Sequence, residues 1–155
     1  MIEIYLCGEN VRERLKDLLD SKLKSYEILK TESGKPYLKG DPLCFSYSHS
    51  GDKGLIAISE NPVGADLEIY KNRTFEAIIT RFTERERGEI AREEDFLRHW
   101  TAREAYVKLF GLTLAETLKR IEFFDGKIFI DGLPTRTRVR HYRFDCGIGA
   151  ICTEE

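Results

Sequence analysis

The sequence predicts an α+β fold of two similar halves packed side by side, about residues 1–68 and 69–155 of a single 155-residue domain. Three observations predict it. Each half reads as a helical segment followed by strand-like segments. Neither a low-complexity linker nor a short repeat divides them. Late in the chain, Leu97, Trp100, Ala105, Tyr106, Val107, Leu109 and Phe110 point in several directions when wound as a helix, which marks that helix as largely buried.

Taken in order, Ile2, Ile4 and Leu6 alternate with Glu3 and Tyr5 as a short strand. Asn10 is placed to cap a helix through Val11, Leu15, Leu18, Leu19 and Leu23, with Arg12, Arg14 and Lys16 on its outer face. Glu32–Leu38 is a loop punctuated by Gly34 and Pro36 that presents Lys35. Strands are expected at Leu43–His49, Gly54–Ser59 and Val63–Ile69, separated by turns at Ser50-Gly51-Asp52 and Asn61-Pro62. Phe75, Ile78, Ile79 and Phe82 have helical spacing, and Thr83 can cap a turn containing Glu84 and Glu86. The charged stretch Glu84–Asp95 leads into the buried helix, which Gly111 ends, since glycine reaches the left-handed conformation at little steric cost. Leu112–Leu118 is a further short helix or loop. Asp125-Gly126 joins Ile121–Phe124 to Lys127–Ile130 as a type I′ hairpin. Tyr142–Thr153 supplies a last strand, or two with a bend at Gly147 and Gly149.

Composition narrows the class. With 41% hydrophobic and 34% charged residues the chain is globular with a heavily charged surface. A net charge of -2 and a pI near 6.0 argue against a dedicated nucleic-acid or anionic-membrane binder. No apolar run is long enough to span a bilayer, and Glu3 sits where a signal peptide would carry basic residues. Cys7, Cys44, Cys146 and Cys152 form no Cys-x-x-Cys pair and lie in apolar runs. A soluble cytoplasmic protein with reduced thiols is expected.

Several stretches can carry chemistry, and each has a plainer reading. Glu104 and Lys108 stand one above the other on a helix face, as a surface ion pair or as charges beside a buried face that need a metal or phosphate. Asp66 and Glu68 project from one face of a strand, either a solvated edge or a pair of hard oxygen ligands suited to Mg²⁺. Ser48-His49-Ser50 offers hydroxyls and an imidazole to phosphate oxygens, or is structural. Phe82–Glu86 can be nothing more than a capping sequence, and His99 and His141, without ligand-spaced partners, read as structural.

In order and spacing, Gly34-Lys35-Pro36, Phe45–Ser50, Val63–Glu68, Phe82-x-x-x-Glu86 and Trp100–Gly111 resemble the motif series of the 4′-phosphopantetheinyl transferases, in particular the larger type that activates non-ribosomal peptide, polyketide and acyl carrier proteins. The resemblance covers about residues 34–111. It implies a pseudo-twofold α+β fold with the active site in the cleft between the halves. It further implies that a serine hydroxyl of an apo acyl, peptidyl or aryl carrier protein attacks the β-phosphate of coenzyme A, and adenosine 3′,5′-bisphosphate leaves. On the matching positions, Asp66, Glu68 and Glu104 would hold Mg²⁺, and Glu104, directly or through a bound water, would take the serine proton. Lys108 would reach the phosphates, with Lys35, Pro36, Ser48 and His49 on the coenzyme. Because both halves lie in one chain, an active monomer is expected, with no nucleic-acid or membrane partner.

The chain also departs from the family's pattern. Arg103 stands where the family usually has lysine, and Ala65 is a smaller residue before Asp66. Thirty-three residues precede Gly34, against a longer basic segment in the larger type, and Arg12 or Arg14 is the candidate substitute at the 3′-phosphate. Two other classes compete: a non-catalytic coenzyme A or carrier-binding module of the same fold, and an unrelated Mg²⁺-dependent phosphohydrolase. The first would be expected to have lost an acid from the set Asp66, Glu68 and Glu104, and all three are present.

Overall fold

The computed structural model describes residues 1–72, 74–113, 115, 118 and 120–155. The elements run β1 (Ile2–Cys7), α1 (Val11–Lys22), β2 (Ile28–Lys30), β3 (Pro36–Leu38), β4 (Cys44–Ser50), β5 (Lys53–Ser59), β6 (Val63–Ile69), α2 (Glu76–Ile79), α3 (Glu84–Gly88), α4 (Glu93–Phe110), β7 (Ile121–Phe124), β8 (Lys127–Ile130), β9 (Leu133–Pro134), β10 (Thr137–Phe144) and β11 (Gly147–Glu154). The strands form two three-stranded sheets, β1-β5-β4 and β10-β11-β6, together with a β2-β3 hairpin and the small β7-β8-β9 sheet. The expected short helix or loop at Leu112–Leu118 lies largely outside the described residues.

Amphipathic alternation explains the layers. On β5, Ile56 and Ile58 point to one face and join Val11, Leu15, Leu18 and Leu19 of α1 in one apolar cluster. Leu55 and Ala57 point to the other face and meet Val63, Ala65 and Leu67 of β6 and Ile151 of β11. The two sheets therefore share an apolar layer. α4 covers the far side of β6 and β11, with Ala102, Ala105, Tyr106, Val107 and Leu109 packed on Ala150, Cys152 and the β7-β8 hairpin. Its burial all round is what the sequence pattern predicts.

Several local expectations hold and several are corrected. Gly111 adopts φ +66° and closes α4, its N–H bonding to the Val107 carbonyl. Asp125 and Gly126 take φ +49° and +74° in the predicted hairpin turn. Asp131-Gly132, with φ +51° and +80°, makes a second turn of the same kind between β8 and β9. Asn10 precedes α1 and its carbonyl accepts from the Arg14 N–H, but its side chain makes no cap bond. Within the expected Gly/Pro loop, Pro36–Leu38 forms a strand against Ile28–Lys30. β6, assigned with the first half by the sequence boundary, hydrogen-bonds throughout to β11 of the second. No helix among the described residues is long and apolar enough to cross a membrane.

Candidate active site

The site is built where β6 meets α4. Strand alternation sends Val63, Ala65 and Leu67 into the apolar layer and leaves Gly64, Asp66 and Glu68 on the α4 side. Gly64 allows the approach: a Cβ there would stand 1.9 Å from the Ala105 carbonyl oxygen. With the helix this close, Lys108 reaches across and its Nζ donates to Asp66 Oδ1 at 2.7 Å. The cation predicted to sit one turn from Glu104 is thus held by an acid 42 positions away.

Asp66 is almost fully buried, at 4% exposure. Burial pushes its carboxyl pKa up, against the opposing pull of Lys108 and Ser48. Its Oδ1 accepts from Ser48 Oγ (2.8 Å) as well as from Lys108, while Oδ2 is buried with no hydrogen-bond partner. Glu104 is half-buried, and its pKa is raised to about 7, by burial first and then by the charge of Asp66, with Lys108 opposing and Glu68 adding. A carboxyl poised there can exchange a proton near neutral pH.

Ser48 and His49, paired in the sequence reading as phosphate-facing groups, part company. The strand period turns Ser48 inward to Asp66 and His49 outward to solvent, on the face of Phe45 and Tyr47. Lys35 is half-buried, and its ammonium donates to the Leu109 carbonyl in the last turn of α4. That cation complements the helix's negative end, and desolvation lowers its pKa. A cavity of about 280 Å³ opens beside it, walled by Lys35, Pro36, Phe45, Tyr47, Lys108 and Gly111. Lys35 and Pro36, where the loop enters β3, and Lys108 of α4 therefore share one cavity.

Two groups of contacts, made in part by residues already singled out, escaped the sequence reading. Ser46 and Ser50, two residues either side of Ser48, reach β6 as Ser48 does, and the period-two run of serines was the available signal. The second group is a buried ion pair behind the site. Glu86 caps α3 through its contacts with Thr83, as predicted, but it is also fully buried and accepts twice from Arg103 Nη2, at 2.8 and 3.0 Å. Arg103 donates besides to the Ile121 carbonyl and lies over the Phe82 ring. The arginine standing where lysine was expected is therefore part of the scaffold, immediately beside Glu104.

A bound metal is tested by the donor set. The charges of Asp66 and Glu68 act on Glu104, and that of Glu68 on Asp66, yet among the described residues no three His, Cys, Asp or Glu side chains converge tightly enough to hold an ion. The orphaned Asp66 Oδ2 is nevertheless a hard oxygen that a hard cation would complete, so the residues present fit Mg²⁺ in the chemistry of their donors, although the arrangement described does not itself close on an ion.

Comparison with known proteins supplies the family. The chain is 30% identical over 113 residues to the 4′-phosphopantetheinyl transferase gsp of Aneurinibacillus migulanus, an alignment covering 68% of this chain and 47% of that protein. It is 32% identical over 115 residues to the L-aminoadipate-semialdehyde dehydrogenase-phosphopantetheinyl transferase of Xenopus laevis, covering 61% and 38% respectively. To the 4′-phosphopantetheinyl transferase AcpT of Salmonella typhi it is 36% identical over 95 residues, covering 55% and 50%. The chain thus spans about half the length, or less, of these curated relatives. Residues 62–147, more than half the chain and inclusive of β6, α4 and every charged group at their junction, match the profile of one family. On that match the chain belongs to the 4′-phosphopantetheinyl transferase superfamily.

Proposed function

We propose that this chain transfers the 4′-phosphopantetheine arm of coenzyme A to a serine of an apo carrier protein. The observation that supports it most is the half-buried Glu104, with a pKa near 7, on a helix whose Lys108 and facing Asp66 form a charged centre beside the cavity. In this reading Glu104 accepts the proton of the attacking serine hydroxyl. The serine oxygen bonds to the β-phosphorus, the bond to the bridging oxygen breaks, and adenosine 3′,5′-bisphosphate leaves with that oxygen. Lys108 supplies positive charge to the pyrophosphate, and Lys35 and Pro36 wall the cavity that takes the coenzyme. Ser48 orders Asp66, and His49, exposed on the neighbouring face, is available to the 3′-phosphate. Asp66, Glu68 and Glu104 would hold Mg²⁺, which when bound neutralises charge growing on the leaving phosphate.

The reading includes two related halves with the site in the cleft between them, a monomer, and a cytoplasmic setting. Its test is incubation with apo carrier proteins, coenzyme A and Mg²⁺, followed by mass spectrometry. A carrier heavier by one phosphopantetheine arm is expected. Coenzyme A binding with no mass gain on any carrier would instead mark a non-catalytic module. Release of inorganic phosphate or a mononucleotide without a carrier would mark a phosphohydrolase.

A further inference from the structure

β4 and β6 are the outer strands of different sheets, and no backbone ladder joins them, yet they lie side by side. Serine hydroxyls stand in for the ladder. Ser46, Ser48 and Ser50 are all buried, at 5–7% exposure, and project from one face of β4. Ser46 Oγ accepts from the Ala65 N–H at 2.9 Å. Ser48 Oγ donates to Asp66 Oδ1. Ser50 does two things at once: its Oγ accepts from the Ile69 N–H at 3.1 Å and donates to Glu68 Oε2 at 3.0 Å.

A hydroxyl has one proton to give. With one lone pair engaged by the Ile69 N–H, the Ser50 proton is left to Glu68, whose carboxylate is held by an atom anchored to its own strand's backbone. Ser46 makes the same kind of seam bond without touching a carboxylate.

From this we infer that Ser50 is a positioning residue: it fixes the Glu68 carboxylate as a ligand for a divalent cation shared with Asp66 and Glu104, while Ser46 only closes the seam. The inference rests on the proposed reading of those carboxylates as a cation site. Outer hydrogen-bonding partners of ligating carboxylates alter metal affinity by about 10–100-fold, because they fix the orientation of the oxygen.

The test uses the whole chain with coenzyme A and Mn²⁺, reading free Mn²⁺ by electron paramagnetic resonance, alongside thermal melting. Ser50→Ala should weaken Mn²⁺ binding about tenfold or more and raise the Mg²⁺ concentration for half-maximal transfer in parallel. Ser50→Thr, which keeps the hydroxyl, should restore both. Ser46→Ala should lower the melting temperature comparably while Mn²⁺ affinity stays within about twofold of wild type. Should Ser50→Ala not fold, Ser50→Cys keeps a weak donor in similar volume and should give an intermediate Mn²⁺ affinity. Wild-type Mn²⁺ affinity in Ser50→Ala or Ser50→Cys, or equal weakening in Ser46→Ala, overturns the positioning role while leaving the cation site intact. Failure of the wild-type chain to bind Mn²⁺ at all overturns the cation site and this inference together.

Discussion

Glu104 illustrates how one residue's setting becomes measurable. Its pKa is near 4.5 in an unfolded chain and about 7 here, because burial, and then Asp66, disfavour the ionised form. Between those values the folded state holds a proton that the unfolded state has released. The associated stability is fully present below about pH 4.5 and is lost as the pH rises through about 7. Glu104→Gln should remove that slope, so its melting temperature should fall less than wild type's as the pH is raised across this window. Parallel curves for the two proteins would refute the shift. The same variant should fold yet lose transfer by about 10²–10⁴-fold, read by the carrier mass assay, since an amide cannot accept the serine proton.

Glu86 titrates in the opposite sense. Burial would raise its pKa, but His99, Arg103 and the N–H groups of Phe123 and Thr83 outweigh it and hold the value at about 2. Its contribution is present above about pH 4.5 and is lost as the pH falls through about 2. Arg103→Ala leaves that carboxylate buried without its cation and should cost about 3–5 kcal/mol in urea unfolding. The double variant Glu86→Leu/Arg103→Met should lie closer to wild type than Arg103→Ala alone, because no unpaired charge remains. A double variant less stable than Arg103→Ala would contradict this. The sequence suggested Glu86 as a cap and Arg103 as a retained charge. That they neutralise each other depends on the chain turning back over a separation of 17 positions, which no local pattern encodes.

Among the elements, β6 and α4 matter most to the site, and Gly64 sets their separation. A Cβ at 1.9 Å from a backbone oxygen cannot be relieved by rotating a side chain, so strand or helix must move. Gly64→Ala should therefore cost at least about 1–3 kcal/mol, visible as a lower urea midpoint, with transfer impaired beyond the loss of folded protein. A variant with wild-type stability would show that the interface yields easily. Elements with strong local signals were legible in the sequence: the buried helix and its glycine stop, the Asp125-Gly126 turn, and the three strands between residues 43 and 69. β2, β3 and β9 were not, because two- and three-residue strands hold too few side chains to show a period and exist through their partners.

For the molecule as a whole, the charged centre lies between elements remote from one another in sequence, β4 and β6 on one side and α4 on the other, so ligand binding should stabilise the entire fold. Mg²⁺ with coenzyme A should raise the melting temperature more than coenzyme A alone, by about 2–4 °C for each kcal/mol of coupled binding in a chain of this size. An equal rise without metal, or transfer undiminished in excess chelator, would speak against a divalent cation. Light scattering should report a monomer that stays active on dilution, whereas an obligatory trimer losing activity on dilution would overturn that assembly.

Which residues share a face was settled by the sequence alone. Glu104 and Lys108 lie one helical turn apart, and Asp66 and Glu68 two strand positions apart, so each pair's common side follows from backbone periodicity. What those faces meet was decided only in three dimensions. Lys108 closes on Asp66 rather than on its helix neighbour, Lys35 turns to the Leu109 carbonyl, and Ser48 and His49 point apart. The serine seam and the Glu86–Arg103 pair likewise join segments that are remote along the chain. The physical reason is range. Helical and strand periods act over a few residues, whereas partners across an interface depend on how closely two packed elements approach, here limited by the missing Cβ of Gly64.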